Sequence, residues 1–161
     1  MNMMRPNPYL LLLGALDFSV SDLYANRRGE LSAHQREQLQ RQSLHEIELA
    51  IAGLIALIVC GIAFEVRLIV VVFGAACLFS VILAVVIRFE EDAKGVVRVV
   101  SGRPEFKPAG RLPFLRPYQL RVDSEDFLVS RPVMQAFDQQ HRYRLYYAPG
   151  SRTIVSAEVA A

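Results

Sequence analysis

The chain has 161 residues, 53% of them apolar, with 18 Lys/Arg against 16 Asp/Glu and a mean hydropathy of +0.27. That length suits one ordinary domain, but the apolar share is high for a soluble one. From residue 95 to 161 there are ten Lys/Arg against six Asp/Glu, a mild excess that suits anionic headgroups and falls short of the clustered basic stripe of a nucleic-acid binder.

The opening "MNMMRPNPYLLLLGALDFSV" has an apolar core of only eight residues, 9–16, ended by Asp17. No A-x-A site follows, which predicts an uncleaved segment. Residues 1–31 read as an interfacial or partner-contacting segment, with "NRRGE" (26–30) as a turn. In "LSAHQREQLQRQSLHEIEL", Ser32 and Gln35 fit an S-x-x-Q capping box ahead of good helix formers. This predicts a helix over 32–48 with sparse apolar residues, Leu39, Leu44 and Ile47. No Pro or Gly intervenes before Gly53, so the helix is expected to run straight into the apolar stretch that follows.

Residues 49–87 hold only two charges, Glu65 and Arg67. As one straight helix they would run about 58 Å, nearly twice the ~30 Å hydrocarbon core. Charges at a bilayer centre cost about 2.5–3.5 kcal/mol each on insertion scales and far less at the surface. The pair is therefore expected at the turn of a transmembrane hairpin with spans 49–64 and 68–87. A soluble helical hairpin would keep a polar face, but "LIVVVFGAACLFSVILAVVI" offers only Ser80. Basic residues flank both outer ends: Arg36 and Arg41 before, Arg88, Lys94, Arg98 and Arg103 after. Arg67 stands alone at the turn, which predicts both termini cytoplasmic and residence in the cell inner membrane. Small residues recur at Ala52, Ala56, Cys60 and at Ala76, Ser80, Ala84, two stripes expected to meet if the spans pair about Val66. Pairing there leaves Cys60 and Cys77 offset by ~9 Å along the axis, beyond disulfide reach.

Residues 88–94 form a charged junction, and 95–161 change texture. "VVRVVSG", "YQLRV", "FLVS", "RYRLYY" and "TIVSAEV" read as five short strands, and "RPVMQAF" as one helical turn with Pro132 at its start. Prolines 104, 108, 113 and 117 mark the segment between the first two strands as an extended, turn-rich connection. The expected fold is an α+β membrane protein: a two-helix hairpin carrying a small cytoplasmic five-stranded barrel-like domain of Sm, SH3 or OB type.

"ANRRGELSAHQREQLQRQ" ahead of two spans, and "RYRLYYAPGSRTIVSAEV" at the end, are the stretches that carry a resemblance. With Tyr143, Tyr146, Tyr147, Pro149 and Ser151 forming Y-x-x-Y-Y-x-P-x-S, the chain resembles a loose group of uncharacterised bacterial two-pass membrane proteins. The resemblance implies architecture and transfers no activity.

Signals for chemistry are weak. His34 and His45 lie on one helix ~16 Å apart, too far to share a metal. A lone His45 near the membrane is poor support for haem, and His34, His45 and His141 read as structural or solvated. Asp138, His141 and Ser151 lack a G-x-S-x-G elbow, and "PGSR" reads as a hairpin turn. No phosphate-binding glycine loop occurs. No catalytic residue, cofactor or metal is expected, and the chain reads as non-enzymatic.

The remaining candidate is a basic, aromatic surface of Arg98, Arg121, Arg142, Arg144, Arg152 and Tyr146, with Tyr118, Tyr143 and Tyr147. It is set against the simpler reading in which Tyr fills the core while Arg is solvated. The expected function is an accessory or scaffolding subunit of a larger membrane assembly. The alternative is a membrane-tethered module whose β-domain binds anionic lipid, a peptide or nucleic acid. The partners expected are the bilayer and other membrane proteins, with anionic lipid next and nucleic acid last.

Overall fold

A computed structural model gives the structure of the protein and describes residues 8–63, 68–108 and 118–160. Helix α1 (Pro8–Leu16) stops at Asp17, which takes a left-handed φ of 50°. Helix α2 (Val20–Arg27) opens with a reciprocal capping box: the Asp22 N–H donates to Ser19 Oγ at 3.2 Å, and the Ser19 N–H donates to Asp22 Oδ2 at 2.8 Å. Helix α3 (Ala33–Ala63) starts at the expected box. The Gln35 N–H donates to Ser32 Oγ at 3.1 Å and the Ser32 N–H to Gln35 Oε1 at 3.3 Å. The helix then continues unbroken through Gly53, so the predicted amphipathic helix and first span are one rod of about 46 Å. Helix α4 (Leu68–Ala93) runs back along it. The expected hinge pair, Glu65 and Arg67, falls in residues 64–67, outside the described residues.

Positions shielded on α3 recur at Ser43, Ile47, Ala50, Leu54, Leu57 and Gly61, and on α4 at Ala75, Leu78, Ile82, Val85 and Phe89. This alternating three–four spacing is that of a helix pair meeting along one seam. Leu57 sits opposite Gly74, where a Cβ would lie 2.6 Å from Leu57 Cδ2, and Gly53 faces Leu78. The helices are thus antiparallel, within one residue of the expected register. The expected stripes are not the seam, however: Ala52, Ala56, Cys60, Ala76, Ser80 and Ala84 are all exposed. Rotation of the helices, not register, makes the difference, because leucines interlocking over Gly74 exclude more surface than alanine on alanine. Outward from the seam stand Leu49 (60% exposed), Val59 (58%), Phe73 (72%) and Phe79 (64%). Both helices are long and apolar enough to cross a membrane.

The described residues of the C-terminal part form six strands: β1 (Arg98–Gly102), β2 (Pro104–Pro108), β3 (Tyr118–Val122), β4 (Glu125–Val129), β5 (Tyr143–Ala148) and β6 (Thr153–Val159). The short helix α5 (Arg131–Ala136), with Pro132 in its first turn, separates β4 from β5. The described strands form two three-stranded antiparallel sheets, β1-β5-β6 and β2-β3-β4, where five strands in one barrel-like sheet were expected. The additional strand is β2, bounded by Pro104 and Pro108. Proline cannot donate to a ladder, but β2 is an edge strand and its prolines occupy the two ends, where the missing N–H is tolerated. Of the connection that follows, residues 109–117 lie outside the described residues.

The two sheets share one core. Leu120, Val122 and Phe127 meet Tyr143, Leu145, Tyr147 and Ala157, and Phe127 packs edge-on against Tyr147 at 5.1 Å between ring centres. Helices α1 and α2 join this core through Leu12, Phe18 and Leu23, and Leu31 follows them. The 1–31 segment therefore has an internal contact surface over its described part, on β6 and α5. Strand β6 has a free edge in its sheet, and the Gln35 amide covers it by donating to the Val155 carbonyl at 2.9 Å. The buried Asn26 amide donates to Ser156 Oγ at 2.6 Å.

Two fastenings join the hairpin to this head. Past Gly95 (φ 72°), the Leu31 N–H donates to the Gly95 carbonyl and the Val97 N–H to the Gly29 carbonyl, each at 2.9 Å. The second is the buried Asp92 at the end of α4, whose two carboxylate oxygens accept from the N–H groups of Gly150 (2.8 Å) and Ser151 (2.9 Å) in the β5–β6 turn. A Cβ on Gly150 would collide with the Arg88 carbonyl, so the turn approaches α4 as closely as it does only with glycine there. Asp92→Ala strands both donors and should cost about 3 kcal/mol, or a melting temperature lower by about 6–10 °C. Far-UV circular dichroism of the detergent-solubilised protein checks this, and an unchanged melt would show that the turn needs no clamp.

Candidate functional site

The six predicted contact residues are dispersed over the head. Arg98 and Arg142 are exposed, at the start of β1 and just before β5. Arg121 Nε lies 3.5 Å from Asp126 Oδ1 across the β3–β4 pair, and Arg152 Nη1 lies 3.9 Å from Glu125 Oε2. Arg144 Nη1 lies 3.4 Å from Glu158 Oε1. Tyr146 is buried at 2% exposure, like Tyr143 and Tyr147. Tyr146 and Tyr147 are neighbours in β5 and so point to opposite faces of the sheet, and both faces are covered there; the bulge in the β5–β6 pairing places its extra residue, Val155, in β6. The tyrosines thus fill the interior, while Arg121, Arg144 and Arg152 each stand beside an acid.

The most connected polar cluster is centred on Glu158. Its carboxylate accepts from Arg27 of α2, from Tyr146 Oη at 2.7 Å and from Arg144 at 3.4 Å. Burial pushes the Glu158 carboxyl upward, but the hydrogen bonds from Arg27 and Tyr146 and the two guanidinium charges outweigh it and hold the group below its usual range. Burial, reinforced by the hydrogen bond to Glu158, raises the Tyr146 hydroxyl. Asp22 behaves as Glu158 does: burial raises it, while Ser32, Ser19 and the nearby His34 lower it overall. The cluster is a fastening of α2 to the sheet, and it absorbs two of the predicted contact residues.

Asp138 and His141 pair at 3.1 Å. Ser151 lies beyond the other end of β5, roughly 20 Å away along a six-residue strand, so the three do not assemble. His34 and His45 lie 3.9 Å from Asp22 and Glu48, respectively. Among the described residues no group of three metal-ligating side chains gathers.

A cleft of about 670 Å³ lies between hairpin and head. Gln42 and Glu46 of α3 and Arg88 of α4 line it from below; Asp126, Ser130 and Arg152 line it from above. A second hollow of about 360 Å³ adjoins it and shares Leu16, Gln42, Thr153 and Ile154. Of the predicted residues the cleft takes only Arg152, at φ 55° in the turn that Asp92 holds. Gln42, Glu46 and Arg88 gave no site signal in the sequence. They read as a solvated helix face and a charged junction, and only the fold brings them to the head.

The chain matches no protein-family model, no curated protein and no solved structure.

The depressed carboxyl of Glu158 sets the sign of a pH effect. Its contribution to stability is complete above the ordinary glutamate value of about 4.3 and is lost as pH falls through the lower folded value. Glu158→Gln should therefore lower the melting temperature at neutral pH, and the gap to wild type should close below about pH 4. A gap independent of pH would refute the ionic role. Tyr146→Phe removes one hydrogen bond to a charged acceptor, at a cost of about 1–2 kcal/mol.

Proposed function

We propose that the protein is an integral membrane scaffold: α3 and α4 cross the cytoplasmic (inner) membrane as a hairpin, and the head stands on the cytoplasmic side as an accessory surface of a larger assembly. The observation that carries the reading is the ring of large apolar side chains around the seam, including Leu49, Ile55, Val59, Phe73, Phe79 and Ile87, with nothing among the described residues to cover them. In water that surface is a liability; in lipid it is the required exterior. The Ser80 hydroxyl donates to the Ala76 carbonyl at 2.9 Å, which satisfies the one polar side chain of the second span within its own helix. Helix α1 buries Leu12 and exposes Leu10 and Leu11, as an interfacial element would. The excess of basic residues beside the outer ends supports cytoplasmic termini.

A scaffolding role follows from how firmly the head is held. A binding surface fixed by the Asp92 clamp and the 29–31 and 95–97 crossing presents a defined orientation to a neighbour in the same membrane. A second reading, the tethered binding module, draws on Arg98 and Arg142, which form no ion pair among the described residues.

Reporter fusions at each terminus and at residue 66 test the topology. Activity of a periplasm-dependent phosphatase is expected only for the insertion at 66, and the opposite pattern, or release of the chain by alkaline carbonate, would overturn insertion as read here. For the scaffold, mild-detergent extraction should yield a stoichiometric heteromeric complex by native mass spectrometry. Recovery of the chain alone or as homo-oligomers would overturn it.

A further inference from the structure

The cleft between hairpin and head has a defined depth in the membrane, given the topology proposed above, on which this inference rests. Arg88 follows Ile87, the last apolar residue of the second span, and Glu46 precedes Leu49 by three residues. Along a helix these offsets are about 1.5 and 4.5 Å. The headgroup layer is about 5–7 Å deep on each side of the hydrocarbon core, so both side chains start within it. The floor of the cleft is thus level with lipid phosphates, and its walls lead down onto exposed apolar helix.

Two of the four charges there, Arg88 and Glu46, are unspent, and Asp126 is paired with Arg121 at 3.5 Å. Among the described residues neither Arg88 nor Glu46 forms an ion pair, and Arg152 has only Glu125 at 3.9 Å. Arg152 is not placed by chance: the carboxylate of Asp92, one turn beyond Arg88 on α4, fixes the backbone of the same turn, and Arg152 holds a left-handed φ that a side chain rarely adopts. One helix therefore supplies one guanidinium and positions the other. Glu46 and Asp126 face the same space from opposite walls, which makes the cleft zwitterionic rather than basic.

We infer that this cleft seats the headgroup of a phospholipid carrying a primary ammonium, with its phosphate on Arg88 and Arg152 and its ammonium on Glu46. A phosphodiester suits two guanidinium donors. A primary ammonium donates hydrogen bonds to a carboxylate, whereas a quaternary one cannot and calls for an aromatic cage. The one aromatic residue of the lining, Phe127, is 1% exposed and committed to Tyr147. An anionic headgroup without an amine would leave Glu46 unanswered, since Asp126 already has Arg121 beside it.

The test uses the full chain in nanodiscs of phosphatidylethanolamine, phosphatidylglycerol and phosphatidylcholine in equal parts, followed by native mass spectrometry of lipids retained on release into detergent. One phosphatidylethanolamine per chain is expected, favoured about tenfold over either other lipid. Arg88→Gln and Arg152→Gln should each lower retention of all three lipids about tenfold. Glu46→Gln should abolish the preference while leaving phosphate-dependent retention. These side chains are exposed, and circular dichroism confirms that each variant is folded. Equal retention of the three lipids by wild type, preference for phosphatidylglycerol, or variants that behave as wild type would overturn the assignment. A chain that does not enter the nanodisc at all would instead refute membrane insertion, a separate outcome.

Discussion

The carboxylate of Asp92 holds this structure in register with itself. A buried acid that accepts two backbone N–H groups binds them with charge-assisted strength, and those groups belong to the turn between the two C-terminal strands. The last turn of α4 and the tip of the β5–β6 hairpin thereby become one unit. Gly150 is the partner condition, since any side chain there meets the Arg88 carbonyl. Without that fastening the hairpin would be tied to the head only by the 29–31 and 95–97 crossing and the Gln35 contact on β6. With it, the direction of α3 and α4 dictates the face that the head turns toward the hairpin.

The remaining polar contacts serve the same end from the other side. Asn26, Arg27 and Gln35 all reach β6, at Ser156, Glu158 and the Val155 carbonyl. Strand β6 is buried from Ile154 to Ala157, because sheet core lies on one face and the N-terminal helices on the other. A strand covered on both faces needs its buried polar groups answered, and the Asn26 amide N–H meets Ser156 Oγ on the helix-covered face, although Asn26 Oδ1 has no hydrogen-bond partner among the described residues. The N-terminal segment is therefore a structural cover for the sheet as well as an approach to α3.

What the sequence made legible was whatever depends on local chemistry or on extreme composition. The Ser32–Gln35 box, the Pro132 helical turn and the two apolar helices follow from short-range rules that tertiary packing did not override. Strand β2 was hidden because its prolines signal a connection, and only its edge position reconciles them with pairing. The helix seam was misjudged because alanine stripes record what permits approach, while the seam records what gains from it, here Leu57 and Leu78 over glycines. The arginine–tyrosine surface dissolved for a similar reason. Strand alternation assigns Tyr146 to a face, but it does not reveal that α2 covers that face and turns a candidate ligand contact into a core hydrogen bond. The cleft was least legible, since its walls come from sequence positions as distant as 42 and 152.

That distance has a consequence for how such a site works. A cleft walled by two bodies changes width with the angle between them, whereas a pocket within either body does not. Here the angle is set at the Asp92 clamp, which lies one turn from Arg88 and immediately beside Arg152. A ligand bridging these two guanidinium groups would pull on the same turn that the clamp holds, so its binding and the attachment of the head would stabilise one another. By linkage the reciprocal holds: whatever tilts the head away from α4 weakens the ligand by the same free energy that the ligand contributes against the tilt.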